Sequence, residues 1–466
     1  MKQQNKKTTS QINNQQTNNQ KPTKLKNALS FIDIFFVGLG YIVGAGIYSL
    51  LSYATKYGGN FTWLSFVIGG FISLMTGLSY AELSRYFDSN ASEYDYITTA
   101  ISTKAGSLMG LTLVVLGIFT ATTLALAFSD LLVSLIGSTV SYGVIRFLII
   151  AIPTIINIIG VKFTTNLNMG ISITESSTLI ILILLSAYMG KWTPKAYTGG
   201  FNLPSIVHGA FITILALSGF EHLPKMAEET QNSSRNIPLA ITSSLSIAAV
   251  MYALTSISAN SVLGTKTVAK TINPISKTYS KLIGGKGESL VNVVSLFSIF
   301  NTVMLTMLFV SRQIYGIAKR GTFSSYFTKV NKITQTPIRS ILFVSLCTFL
   351  LTTIKEVELS THLTNVLLFS VFALVNLSAI ILRYRGTLSQ SENNRGTLSQ
   401  SENNRGTNSQ SENNRGTNSQ SGNAQEKKET ESKKHSKFSI YSIIGLITSI
   451  YMVYSSMSDN YFANLI

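Results

Sequence analysis

The chain has 466 residues, 45% of them hydrophobic and only 57 charged (37 Lys+Arg and 20 Asp+Glu), so charge is 12% against about 25% in ordinary globular proteins. Segments 1–30 and 384–437 hold 21 of those charges and leave 36 for the other 382 residues, which disfavours a water-soluble enzyme and describes a membrane-like core. One cysteine, Cys347, excludes a disulfide framework; four scattered histidines form no metal motif, and a net charge of +17 without a basic, aromatic-interleaved face gives no support to nucleic-acid binding.

In chain order, the polar segment 1–30 carries six lysines and no small-residue cleavage site, and reads as a disordered basic tail that leaves the first span in the protein. Apolar runs of about 20 residues, each able to cross roughly 30 Å of hydrocarbon as a helix, then predict eleven membrane helices. They lie near 32–54, 63–83, 108–136, 144–160, 170–190, 206–227, 239–263, 290–312, 338–354, 361–383 and 438–457. Between the last two, segment 384–437 carries a decapeptide repeat, RGTLSQSENN at 385–394 and 395–404, then RGTNSQSENN at 405–414. It buries too little apolar surface to offset its ordering entropy and is expected to be a disordered linker. A short tail, 458–466, comes after the last span.

Counting Lys and Arg on alternate sides gives 27 on the face of the amino terminus and 10 on the other, which predicts a cytoplasmic amino terminus. The exception is the loop after the seventh span, where Lys266, Lys270, Lys277, Lys281 and Lys286 cluster. An odd number of spans puts the carboxyl terminus outside.

Two spans carry the signature of interruption. The first contains GLGYIVGAGIY, with Gly38, Gly40, Gly44 and Gly46; the sixth contains ALSGFEHLP, ending at Pro224. Five spans begin with each, as a five-plus-five inverted duplication over 31–190 and 205–383 requires. A glycine run lets a helix unwind, and the freed amides of the next half-helix can hold a carboxylate while freed carbonyls hold an ammonium. An amino-acid zwitterion needs both. The bland alternative is that Gly40 and Gly44 form a small-residue seam for close helix packing.

These residues resemble the amino acid/polyamine/organocation permeases, and the likeness covers nearly all of 31–383. It rests on GYIVGAGIY (40–48), LSYAELSRYF and SEYDYI (78–87, 92–97), NIIGVKFTTNLN (157–168), LSGFEHLPKMAEETQNSSRNIPLAI (217–241), SRQIYGIAKRGTF (311–323) and TPIRSI (336–341). The resemblance implies the leucine-transporter-type all-α inverted-repeat fold and alternating-access transport of an amino acid or amine, not enzymatic activity and with no cofactor. It implies that Gly44, Ala45 and Gly46 meet the substrate carboxylate, that Ala216, Leu217, Ser218 and Gly219 receive the amino group and part of the side chain, and that Glu221 gates. Departures lie at Ala91–Ser92, at Ser324–Ser325, in the repeat linker and in the missing twelfth span.

Glu175, inside the fifth span with no base nearby in sequence, is costly in hydrocarbon unless it faces a cavity or carries a proton. In the family this position resembles one where a lysine or other polar residue stands in for a sodium site, and Glu175 is therefore the candidate for coupling to protons; the alternative is an acid bonded to Ser172, Thr174 or Ser176. Glu221 reads equally as a gate or as a cap on unwound amides. His222 and His362 read as interhelical donors, and Arg312 and Arg320 as anchors at the inner surface. Gly117, Thr120, Thr122, Phe220 and Asn301 are candidates to line the side-chain pocket. The expected protein is a proton-coupled amino acid permease of the plasma membrane, bedded in lipid; the alternatives are an amino-acid sensor on a transporter-like scaffold and an amino acid/polyamine exchanger.

Overall fold

Residues 24–137, 140–192, 200–353, 358–388 and 439–457 are described by the computed structural model. Most of the repeat linker, the first part of the basic tail and the carboxyl-terminal tail lie outside these residues. Among the described residues the α-helices are α1 (Phe31–Ile42), α2 (Ala45–Gly58), α3 (Thr62–Ser84), α4 (Glu93–Ala100), α5 (Thr103–Ile136), α6 (Tyr142–Ile159), α7 (Val161–Tyr188), α8 (Leu203–Ala216), α9 (Ser233–Leu263), α10 (Thr265–Val268), α11 (Pro274–Ile283), α12 (Gly285–Lys319), α13 (Ile338–Leu351), α14 (Glu358–Tyr384) and α15 (Ile440–Met457). A 3₁₀ segment, Phe220–Glu229, comes after α8.

Nine stretches among the described residues are long and apolar enough to cross a membrane, and α13 and α15 are shorter apolar helices. Nine of the eleven expected spans are thus matched; α13, with 14 residues, extends about 21 Å, less than the hydrocarbon thickness. The sixth span is α-helical only to Ala216 instead of to 227. Large apolar side chains on the outside of the bundle, such as Phe71, Leu184, Val250 and Leu346, are about half exposed or more, as a lipid-facing surface requires.

Local chemistry starts the first span. Ser30 and Asp33 form a reciprocal capping box, the Asp33 carboxylate accepting from the Ser30 amide at 2.8 Å. Lys162, at the start of α7, donates to the same carboxylate at 2.6 Å. Before the cap, Leu29 pairs with Thr230: Leu29 N–H donates to Glu229 O at 2.9 Å and Gln231 N–H to Leu29 O at 2.8 Å.

The central column is α12, which packs against α1, α2, α5, α6, α7, α11 and α13. On the other flank α9 packs against α1, α3 and α7, while α15 packs against α3 and α14. Polar pairs fix α15 to α3: Ser79 and Ser442 are 2.8 Å apart and Tyr441 donates to Glu82 at 2.6 Å, while Ser79 also donates to Asn376 of α14 at 2.7 Å.

Candidate functional site

The first span breaks where its glycines recur. α1 ends at Ile42, Gly44 has left helical geometry (φ −48°, ψ −141°), and α2 begins at Ala45 with no side chain capping its amides. On the other side of the break, the Ile42 carbonyl accepts from the Tyr252 hydroxyl at 2.5 Å. The glycines divide the work. A Cβ at Gly38 would stand 2.7 Å from Ser244 Oγ and one at Gly40 2.6 Å from Asn168 Oδ1, so both serve as seams against α9 and α7. At Gly44 a Cβ would meet the Thr302 hydroxyl of α12 and the Tyr41 carbonyl, which leaves no room for a larger residue at the break itself.

The sixth span breaks at Leu217–Gly219. Gly219 has φ +124°, a conformation only glycine adopts without strain, and a side chain there would enter the Tyr41 ring. Its amide donates to Glu221 Oε2 at 2.6 Å, so Glu221 caps the unwound chain. Ser218 turns its hydroxyl back to Leu215 O at 2.8 Å.

The two breaks abut. A Cβ on Gly46 would stand 3.1 Å from Ala216 O, and Tyr41 bridges from α1 to the turn at Gly219 while its hydroxyl lies 3.2 Å from Thr306. Of the candidate substrate residues, Gly44, Ala45 and Gly46 therefore sit at the mouth of α2, and Ala216, Leu217, Ser218 and Gly219 face them at the frayed end of α8. An uncapped helix amino end beside an unwound chain presents donors for an anionic group next to acceptors for a cationic one.

Glu175 is fully buried on α7, and neither carboxylate oxygen has a hydrogen-bond partner among the described residues. Ser298 of α12 stands beside it, with Tyr48 and Tyr252 also within its electrostatic reach. Ser172, Ser176 and Ser298 likewise have unpartnered hydroxyls, whereas Thr174 is spent on Gly170 O at 3.0 Å. The alternative of an acid held by its own helix's hydroxyls is therefore not what the structure contains. Asn301 of α12 donates to Asn168 at 3.0 Å, beside Gly40 of the first span.

Other expectations need correction. Phe220 stacks on Phe372 (5.6 Å) and meets Tyr80 edge-on (5.8 Å), so it is core below the break. Gly117 packs against Val310 of α12, and Thr120 and Thr122 donate to carbonyls of their own helix, a bond that a helical threonine keeps whichever way it faces. Arg312 is no surface anchor: it is fully buried and grips Glu229 with Nε at 3.1 Å and Nη2 at 3.2 Å, because a guanidinium can satisfy a carboxylate bidentately where neither meets water. Arg320, half exposed, does lie at the surface; its bond to Asp95 at 2.7 Å raises its pKa above the ordinary arginine value. The His362 side chain lies outside the described residues. His222 stacks on Phe309, meets Tyr41 edge-on at 4.8 Å, and stands 3.0 Å from Lys225, which is itself buried 3.6 Å from Glu93. Sequence reasoning missed Tyr41, Tyr252 and this buried ion pair; only Tyr41, placed between the glycine pairs, offered a signal.

An all-helical membrane bundle with two interrupted spans in contact defines a class of membrane protein. A family model described as amino acid permease matches residues 29–462, and the chain belongs to that family. It is 25% identical over 385 residues to a protein named cationic amino acid transporter 3, mitochondrial, of Arabidopsis thaliana (78% of this chain, 63% of the relative). It is 22% identical over 385 residues to the branched-chain amino acid permease BcaP of Bacillus subtilis (77% and 81%) and 23% identical over 389 residues to the methylthioribose transporter of the same organism (78% and 82%). The chain spans just under two thirds of the length of several curated relatives, among them two further Arabidopsis cationic amino acid transporters at 65% and 66%.

Proposed function

We propose that this protein carries an amino acid or a related amine across a membrane by alternating access, coupled to protons. The observation that carries the reading is the contact between the two breaks, Gly46 against Ala216 and Tyr41 against Gly219. Gly44, Ala45 and Gly46 receive the carboxylate at the uncapped start of α2; Ala216, Leu217, Ser218 and Gly219 receive the ammonium. Glu221, bonded to the Gly219 amide, is the gate, and Glu175 takes and releases the coupling proton. The interruptions stand in the first and sixth spans, as a five-plus-five inverted repeat requires. The names of the relatives, cationic and branched-chain amino acid transporters among them, support the substrate class. The excess of Lys and Arg on the amino-terminal face supports a cytoplasmic amino terminus, and the plasma membrane is our reading of the location.

The test is Gly44→Leu in the purified protein reconstituted into proteoliposomes, with a panel of radiolabelled amino acids. A leucine meets Thr302 and the Tyr41 carbonyl and fills the break. Uptake is expected to fall to background while membrane insertion and monodispersity are unchanged; uptake retained at the wild-type rate would refute the site.

A further inference from the structure

A second feature lies away from the breaks, on the membrane face where α1 begins. Here the inner ends of α3, α9, α14 and α15 enclose a cavity of about 210 Å³. Its lining mixes apolar and polar side chains, Leu78, Ala81 and Leu239 with Glu82, Arg85, Arg383 and Tyr441. Arg383 Nε and Glu82 Oε1 are 2.9 Å apart, and with Arg85 exposed at the end of α3 the lining sets two guanidiniums against one carboxylate, a net positive charge.

The cavity is also the end of a groove. α3 is flanked by α9 on one side and α15 on the other. Along α3 the residues Val67, Phe71, Leu74 and Leu78 recur at four, three and four positions, which is one helical stripe. Val67 and Phe71 are 47% and 55% exposed, so the stripe faces lipid before it descends to Leu78 in the cavity wall. Leu239, also in that wall, is 46% exposed and begins the lipid-facing edge of α9 that continues through Ile247 and Val250. An apolar channel of acyl-chain character thus ends in a basic, tyrosine-bearing pocket at the depth of the headgroups, where basic pockets between helices hold anionic lipid headgroups.

We propose that this groove binds one anionic phospholipid, its phosphate beside Arg85 and Arg383 and an acyl chain along the α3 stripe. The site is independent of the transport reading. The cavity itself is the size of a headgroup, and the chains lie outside it against Val67 and Phe71.

The test uses the full-length protein reconstituted in equal phosphatidylglycerol and phosphatidylcholine, re-extracted, with bound lipid counted by native mass spectrometry. Wild type is expected to retain one phosphatidylglycerol in preference to phosphatidylcholine, and Arg85→Gln to lower that preference about fivefold, the weight of one basic side chain near a charged membrane surface. Leu239→Trp, which fills the mouth without touching a charge, is expected to lose the bound lipid and carries the test should Arg85→Gln fail to fold. Equal retention of both lipids by the wild type, or an unchanged preference in Arg85→Gln, overturns the site. Displacement of phosphatidylglycerol by millimolar inorganic phosphate overturns the lipid assignment in favour of a soluble anion.

Discussion

Glu175 and Arg312 are both fully buried ionisable groups, and their surroundings give them opposite roles. Arg312 has a bidentate partner in Glu229, 83 positions away. Removing one member of such a pair strands the other charge, so Arg312→Met is expected to cost roughly 3–5 kcal/mol. The double variant Arg312→Met/Glu229→Met should lose far less, since a buried pair often breaks even against apolar residues of similar volume. Denaturation of the purified single and double variants in one detergent measures the difference. Glu175, in contrast, has no partner for either oxygen among the described residues. An amide of the same shape keeps the approach to Ser298 and removes a buried ionisable group, so Glu175→Gln is expected to leave the melting temperature unchanged or raised. If the carboxylate is the proton carrier, the same variant loses the stimulation of uptake by an imposed pH gradient, inside alkaline, and keeps gradient-independent exchange. Wild-type stimulation in Glu175→Gln proteoliposomes would remove the coupling role.

At the scale of elements, the two broken spans resume differently beyond their breaks. α2 winds as an α-helix at once, because Gly44 supplies the corner and Ala45 onward are free to wind. After Gly219 the chain winds as a ten-residue 3₁₀ segment with Pro224 inside it, an unusual length for a form with poorer hydrogen-bond geometry. Its ends are fixed by side chains, Glu221 at the start and Glu229 at the finish. α15 illustrates a different means of attachment. A short apolar helix gains little from hydrophobic burial against other helices in lipid, and its seam to the bundle is polar: Ser442 lies 2.8 Å from Ser79 of α3, Tyr441 donates to Glu82 at 2.6 Å, and Gly445 lies against the Asn376 amide of α14, which itself accepts from Ser79 and donates to Thr76. At about 0.6 kcal/mol for each interhelical hydrogen bond, the double variant Tyr441→Phe/Ser442→Ala, which removes the bonds of α15 to Glu82 and Ser79, is expected to weaken the seam by about 1 kcal/mol. Faster amide exchange in Ile440–Met457, with α12 unchanged, is the measurement; equal protection in the wild type and the double variant would show that the seam is not what holds α15.

Across the whole molecule, legibility from the sequence tracks the range of the forces involved. Span positions were legible because hydrocarbon imposes length and apolarity on each segment by itself, and both breaks were legible because GLGYIVGAGIY and ALSGFEHLP are local. The pairing of Arg312 with Glu229, the Tyr252 hydroxyl on the Ile42 carbonyl and the contact of Asn301 with Asn168 join residues 83, 210 and 133 positions apart. No periodicity encodes them, and for that reason Arg312 read as an anchor. The side-chain pocket is illegible for the same cause, since the faces that Gly117, Thr120 and Thr122 turn inward depend on where α12 packs.

The short bridge between Leu29 and Thr230 has a mechanical consequence. It ties the root of α1 to the finish of the 3₁₀ segment with main-chain bonds, while Gly46 and Ala216 touch at mid-height. Both halves of the first span are therefore moored to the sixth, one below its break and one above, and cutting the lower mooring at the residues just before Ser30 would leave the half-helix α1 without its main-chain tie to that partner.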